Sequence, residues 1–473
     1  MRSVMVILII SAILVAGLVA VLGQMLFDPA QPLIVHASFD REVISPNADG
    51  VDDLAVYRYE LSDNALVSIV FTHEDGRSFA FRKDEPRAKG VYEGLFSGVV
   101  DGYLNPSETA GGEVIRRLMP IGNYTWVLSA SHATRDETQT IEGKLSLEDA
   151  DAQLPDISVF SVSPLVFSPN QDGIDDRVQF NVVLEKDAAL DVYLVGTDDV
   201  QIFIPPRQDE TREGEAGRYT YDYDGGVDTG ANPPPDGTYT VYAVAQDAVG
   251  QRVLRTAELS LVTGGKPFAE IVSQTSGADV AFAVIPDRDE YISNTDEYGA
   301  PVPQPTSADL FAQNDITMQV GDILLFMLTI ENYGDVPIRT HGAPPGTVYA
   351  QNQRAAVFGD LDESGAWRVG IDCDTATSDY PWRWAIGDAS VLESVYDEAT
   401  DNTYFYLPAG ERAVVWGGIR MTDVIAARNP QNCWAGLIHE DVAVSVRNAR
   451  VGARSIELID PQQALNTVDD GNG

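Results

Sequence analysis

Along most of the chain apolar and polar residues alternate with a period of two, the pattern of strands that present one face to a core and one to water. It predicts strands over 56–61, 65–72, 78–82, 91–96, 122–130 and 138–147, then over 178–184, 190–195, 218–223, 238–246 and 252–261. A third set falls at 270–272, 280–285, within 316–340, and at 367–372, 403–407, 411–419, 434–439, 442–446 and 454–458, with one helical turn near 423–427. Turn residues such as Gly225-Gly226 and Asn232-Pro233-Pro234-Pro235-Asp236-Gly237 punctuate them. Short strands at this density read as β-sandwiches. The one departure is an unbroken apolar run from Val4 to Gly23. At about 1.5 Å per residue it matches the hydrocarbon thickness of a bilayer.

The expected class is therefore all-β: tandem sandwiches after one N-terminal transmembrane helix. Residues 1–27 are a membrane anchor or signal segment, 28–37 a tether, 38–150 and 156–264 two sandwiches joined by the acidic stretch 148–155, 265–460 a third sandwich, and 461–473 a disordered tail. Arg2 before the apolar run and an acidic body after it orient the bulk of the chain outside the cytoplasm. A signal peptide is the alternative, which would release the chain; its cleavage signal, Val21-Leu22-Gly23, is weak.

One nine-residue stretch occurs twice. Ser45-Pro46-Asn47-Ala48-Asp49-Gly50-Val51-Asp52-Asp53 returns 123 residues later as Ser168-Pro169-Asn170-Gln171-Asp172-Gly173-Ile174-Asp175-Asp176, identical at seven of nine positions. Gly122, Tyr124, Thr125, Ala130 and Ala133 match Gly237, Tyr239, Thr240, Ala245 and Ala248 at an offset of 115, so the duplication spans whole modules. Pro fixes φ, Asn and Asp fold onto nearby backbone N–H groups and Gly accepts positive φ, which makes the stretch a tight turn. Its oxygens also resemble the middle of a Ca²⁺ loop. The candidate ligands are Asn47, Asp49, Asp52 and Asp53, and Asn170, Asp172, Asp175 and Asp176. No bidentate acid stands where such a loop would close, so Ca²⁺, the one cofactor suggested, competes with a turn whose acids cap backbone donors.

Further residues of the second module carry a family resemblance: Gly217-Arg218-Tyr219, Tyr223-Asp224-Gly225, Asp236-Gly237-Thr238-Tyr239-Thr240-Val241 and Ala245-Gln246-Asp247-Ala248-Val249-Gly250-Gln251. With the repeated turn they resemble the FlgD-type immunoglobulin-like module and related modules of secreted and gliding-motility surface proteins. In the first module the last motif is reduced to Ala130-Ser131-His132-Ala133-Thr134. The resemblance covers about residues 35–262 and implies a spacer, attachment or assembly unit without catalysis. The third sandwich is only loosely similar to surface immunoglobulin-like domains.

Charge and chemistry narrow the reading. The 473 residues include 72 acidic and 31 basic ones, a formal charge of -41, which argues against nucleic acid as a partner. Cys373 and Cys433 are the only cysteines, and outside the cytoplasm they read as a disulfide, two buried thiols being the alternative. The five histidines show no metal-site spacing, and no nucleophile elbow or phosphate loop occurs. Tyr380-Pro381-Trp382-Arg383-Trp384 stands out as a candidate ligand contact: Tyr380, Trp382 and Trp384 would offer flat faces to a sugar or a protein, with Arg383 as polar handle. Trp416 and Trp434 read as core packed on the disulfide. The expectation is a non-enzymatic, membrane-anchored surface protein with a structural or adhesive role, two sandwiches as stalk and the third as contact unit. Its partners would be the membrane and other surface proteins or envelope polysaccharide. A carbohydrate-binding accessory protein is the alternative, and a hydrolase a weaker one.

Overall fold

The computed structural model describes residues 13–16, 18 and 31–460, apart from 106–109, 133, 208–210, 275–276, 295–296, 307–314, 359–363 and 399. Among the described residues no helix is long and apolar enough to cross a membrane. The run Val4 to Gly23, where the sequence places an anchor, lies outside them except for 13–16 and 18, which are helical and exposed. The tail 461–473 also lies outside them.

The first module comprises β1 (Ile34–Phe39), β2 (Val43–Ile44), β3 (Ala55–Leu61), β4 (Ala65–His73), β5 (Ser78–Arg87), β6 (Gly90–Phe96), β7 (Val99–Asp101), β8 (Glu113–Leu118), β9 (Gly122–His132) and β10 (Thr138–Leu147). A three-stranded sheet, β1-β3-β6, faces a five-stranded one, β2-β10-β9-β4-β5. This is an immunoglobulin-type sandwich whose first strand is split: β1 pairs with β3, and β2 crosses to lie parallel to β10. β1 begins inside the expected tether 28–37. Leu33 and Ile34 are drawn into the core because their apolar side chains complete it. That core is aromatic, with Phe71 stacked on Phe96 at 4.5 Å and Phe39 against Trp126 at 5.2 Å.

The second module repeats the plan with β11 (Ile157–Ser163), β12 (Val166–Phe167), β13 (Val178–Leu184), β14 (Ala189–Val195), β15 (Gln201–Phe203), β16 (Gly217–Tyr223), β17 (Gly237–Gln246) and β18 (Arg252–Leu261). β11-β13-β16 forms one sheet, β15-β14-β17-β18 the other, and β12 lies parallel to β18 as β2 does to β10. The modules are not independent, however. The β7–β8 hairpin of the first leaves its own sandwich, and β8 pairs antiparallel with β18, Val114 opposite Val253 and Glu113 opposite Leu254. A seven-stranded sheet therefore crosses the boundary.

The third unit is a larger sandwich of β19 (Ala269–Val272), β20 (Val280–Ile285), β21 (Asp315–Gln319), β22 (Ile323–Asn332), β23 (Ile338–Thr340), β24 (Val348–Ala350), β25 (Trp367–Cys373), β26 (Trp382–Ala385), β27 (Glu393–Asp397), β28 (Asn402–Leu407), β29 (Arg412–Arg420), β30 (Gln431–His439), β31 (Ala443–Val444) and β32 (Val451–Ile459). Its smaller sheet centres on β22 and its larger one runs β21-β32-β30-β25-β23-β28-β27. Cys373 and Cys433 stand opposite each other on β25 and β30 and form a disulfide. The bridge closes a separation of 60 residues, a constraint on the unfolded chain of about 4 kcal/mol on a chain-entropy account.

The hairpin crossing can be tested at Gly112, just before β8. A Cβ there would stand 2.5 Å from the Leu254 carbonyl oxygen. Gly112→Val is expected to lift β8 from β18 at a cost of about 1–3 kcal/mol. Amide exchange at 113–116 and 252–254 should accelerate while β3 and β13 keep their protection; unchanged exchange would show that the shared sheet does not hold the boundary.

Candidate functional site

The repeated turn follows one plan in both copies, with one of the three N–H donors to the last Asp shifted by a residue, from Ala48 in the first to Asp172 in the second. Asp53 Oδ1 accepts from the backbone N–H of Asn47 and Ala48 at 3.0 and 2.8 Å, and Oδ2 from Gly50 at 2.7 Å. Asp176 Oδ1 accepts from Asn170 and Asp172 at 3.3 and 3.2 Å, and Oδ2 from Gly173 at 2.6 Å. Asn47 and Asn170 each accept from the N–H two residues on, and Asp49 and Asp172 do the same. Ala48, Gly50 and Asp52 have φ of 64, 88 and 55°, against 59, 85 and 49° at Gln171, Gly173 and Asp175. Candidate ligand oxygens of Asn47, Asp49 and Asp53, and of Asn170, Asp172 and Asp176, are thus turned onto backbone N–H donors, while Asp52 is held by Arg41. Among the described residues no three His, Cys, Asp or Glu side chains assemble into a group that could hold a metal ion.

What differs is the surroundings. The first turn is open to solvent: Ala48, Asp49, Gly50 and Asp52 are exposed, with Arg41 on Asp52 at 2.5 Å and Asn47 Nδ2 donating to Asp149 at 3.1 Å. The second is docked on the third sandwich, and Asn170 and Asp172 are buried. Arg339 of β23, itself buried, donates from Nε to the Asp172 carbonyl at 2.5 Å and from Nη2 to the Ser364 carbonyl. The Tyr406 hydroxyl of β28 donates to Asp172 Oδ2 at 3.2 Å. His439, at the end of β30 and stacked on Trp367 at 4.4 Å, points Nε2 at the Gln171 carbonyl at 2.7 Å, which requires that nitrogen to carry a proton.

Docking changes the titration of the same carboxylate. At Asp53 a desolvation cost is outweighed by the N–H groups of Gly50, Ala48 and Asn47, and the carboxyl sits below its ordinary value. At Asp176 burial dominates, the Asp172 carboxylate adds to it, and the value rises to about 6. Burial also raises Asp172, despite Arg339 and Tyr406, and lowers His439 to about 4.

The boundary between the first two modules is organised by the Asp247–Gln251 turn, part of the motif that the first module lacks. Gln251, fully buried, accepts from the Leu118 N–H at 3.2 Å and donates to the carbonyls of Asp151 and Gln153 at 3.1 and 2.8 Å. Lys186 pairs with both Asp151 and Asp247 at 2.7 Å. One turn thereby grips the hairpin and the linker at once. At the matching place in the first module His132 bonds within its own sandwich, through Nε2 to Asp63 at 3.1 Å and through Nδ1 to the N–H groups of Thr134 and Arg135.

The aromatic candidates require correction. Trp382 and Trp384 lie on β26, with exposures of 2% and 0%, and Tyr380 is buried too, so none presents a face to a ligand. Trp384 packs edge-on against Phe326 and Tyr349 and donates to the Thr347 carbonyl at 3.0 Å. Arg383 is half-buried and held by Glu440 at 2.6 Å. The expected core pair, Trp416 and Trp434, is instead half-buried, with Arg450 lying over Trp434 at 3.9 Å. Period-two alternation around Arg383 signalled a strand with both tryptophans on one face, and that face is the inner one.

No protein-family model matches the chain, and no curated protein does. Among solved structures it is similar to a tetra-tandem repeat from the extending region of a large adhesion protein (12% identity, 89% of this chain and 71% of that one, TM-score 0.15). It is also similar to a region of a 1.5-MDa bacterial ice-binding adhesin involved in host cell surface retention (9%, 90% and 98%, 0.17) and to two fibronectin type-III domains of chicken tenascin (11%, 48% and 97%, 0.15). Likenesses this slight say nothing about function, and the immunoglobulin-like assignment rests on the strand order above.

Two measurements probe the docked turn. A Cβ at Gly173 would meet the Ser364 carbonyl oxygen at 1.9 Å, whereas one at Gly50, in the same backbone conformation, has nothing within 4 Å. Gly50→Ala should cost only the backbone strain, about 1–2 kcal/mol, and leave the second and third units joined. Gly173→Ala should also separate them, exposing 364–365 to protease. Equal behaviour of the two variants would refute the docking geometry.

The second measurement is pH, in chelator-treated buffer. As pH falls from 6.5 toward 4, His439 takes up a proton when undocked but not when docked, so docking weakens. As pH falls from about 6 toward 3.8, Asp176 takes up a proton when docked but not when undocked, so docking strengthens. Asp172, raised in the same direction, adds to the carboxylate slope, which opposes that of His439 in the wild type. His439→Gln, which keeps a donor for the Gln171 carbonyl, should leave only the carboxylate slopes and show docking tightened on acidification through that window, read by protease sensitivity at 364–365; a flat profile in this variant would count against the assignment.

Proposed function

We propose that the chain is a surface strut: a membrane-anchored, extracytoplasmic protein whose two FlgD-type sandwiches present the third domain, with a structural or adhesive role and no reaction of its own. The carrying observation is that neither boundary is a slack linker. One is bridged by β8 on β18 and clamped by Gln251 and Lys186, the other by Arg339, Tyr406 and His439 on the Asn170–Asp176 turn. A carrier that must hold its terminal domain at a set distance benefits from such joints, because free linkers would let the domain fold back. The FlgD-type reading draws support from the matched turns and strand orders of the two modules.

Anchoring through residues 1–27 draws support from Ile13, Leu14, Val15 and Leu18, which are 59–69% exposed and so not packed into a sandwich core. The partners that fit are other surface proteins or envelope polysaccharide, met by the third domain. Because Asp49, Asp53, Asp172 and Asp176 already serve backbone donors, the strut reading calls on no cation at either turn.

In cells making the full chain, the protein should remain with membranes after carbonate washing and be trimmed by external protease, and loss of residues 1–27 should release it. The purified chain in nanodiscs should show one inter-module geometry by electron microscopy, unchanged by Ca²⁺ or chelator. Freely varying angles would sink the strut, and a cytoplasmic location would sink the surface assignment.

A further inference from the structure

The arginines of this acid-rich chain are mostly spent on carboxylates. At the boundary between the first two modules two of them, Arg116 and Arg252, are not. A cleft of about 250 Å³ is lined by Arg82 of β5, Arg116 of β8 and Arg252 of β18, together with Gln246, Phe81 and Leu95, and no acidic residue lines it. Arg116 and Arg252 stand directly opposite each other where β8 joins β18, and the register shifts just after Arg252. Like charges placed opposite on paired strands repel. Neither forms an ion pair among the described residues: Asp101 faces Arg116 across the hairpin but is not bonded to it and stays outside the cleft. Arg82 bonds Glu85 at 3.0 Å and lies over Phe81 at 4.7 Å, but its buried Nε has no hydrogen-bond partner.

We propose that this cleft is a binding site for one oxyanion, a carboxylate, sulfate or phosphate group. Guanidinium forks offer paired N–H donors that match such groups, and an anion between Arg116 and Arg252 converts their repulsion into two attractions. The chain's charge of -41 does not forbid this. At physiological ionic strength fields are screened over about 8 Å, which mutes the acids of the rest of the chain; Glu85 offsets Arg82 and Asp101 faces Arg116 from outside the cleft, but Arg116 and Arg252 form no ion pair among the described residues and no acidic residue lines the cleft. The site exists only in the assembled pair of modules, since each contributes arginines. Anion binding therefore tightens the joint, and an acidic polymer engaging it would grip the strut along its side. This inference stands apart from the role of the third domain.

The test is calorimetric titration of the full chain with sodium sulfate and, separately, with trigalacturonate, at ionic strength held constant with sodium chloride. Saturable uptake of one ligand per chain is expected, weakened about tenfold or more in Arg116→Gln/Arg252→Gln. In chloride alone this variant should unfold at the wild-type temperature or above it, since it relieves the repulsion, while the upward shift given by sulfate in the wild type should vanish. Tighter binding of trigalacturonate than of sulfate identifies the anion as part of an acidic sugar polymer; the reverse identifies a free oxyanion. No saturable heat with either ligand, or equal binding by the double variant, overturns the proposal.

Discussion

A carboxylate that gathers three backbone N–H groups of its own turn is the interaction on which this molecule depends. Asp53 and Asp176 each do this, and each thereby fixes a loop whose backbone would otherwise adopt positive φ at several non-glycine positions only at a cost. A rigid loop can become a surface. In the first module it stays one, facing water. In the second the same shape is a plug for the third sandwich, recognised through its carbonyls as much as through its side chains. The duplication thus supplied a part with a preformed shape, and one copy was put to use in assembly.

The two boundaries obey different physics. The first is a continuation of sheet hydrogen bonding from one module into the next, locked by a buried glutamine that satisfies three backbone groups from two segments, the hairpin and the linker. The second is a polar socket in which a buried arginine, a tyrosine and a neutral histidine meet a turn carrying two desolvated carboxylates. Burying those groups is costly unless each finds a partner, and here the partners come from the other domain. Correct docking is the condition under which the polar groups are satisfied.

Basic residues are scarce, and their placement is accordingly informative. Arg339 and Lys186 serve joints, each through contacts that reach another module or the linker. Arg116 and Arg252 meet at a joint, Arg82 beside them, in a cleft that no acidic residue lines. In a chain this acidic, uncompensated positive charge at a boundary is the exception to a general rule of surface acidity.

The sequence by itself determined the local chemistry. Alternation located the longer central strands of both repeats to within a residue or two at most ends, because a half-buried strand needs period two wherever it lies in the fold; it missed β1, β2, β7, β8, β11, β12 and β15. The repeated turn was legible because the bonds that shape its backbone are internal to nine residues. The cysteine pair was legible because nothing else in the chain could partner either sulfur. Tertiary structure decided whatever depended on which face met which neighbour. The shift in repeat offset from 123 to 115 carried a sign of extra chain in the first module, but not that it would cross to β18. Trp382 and Trp384 have the composition of a binding face and the position of a core, and only the packing of β26 against Phe326 and Tyr349 separates the two. Asp53 and Asp176 are the same residue in the same turn. Their opposite titration comes from solvent on one side and a third domain on the other, which no window of local sequence contains.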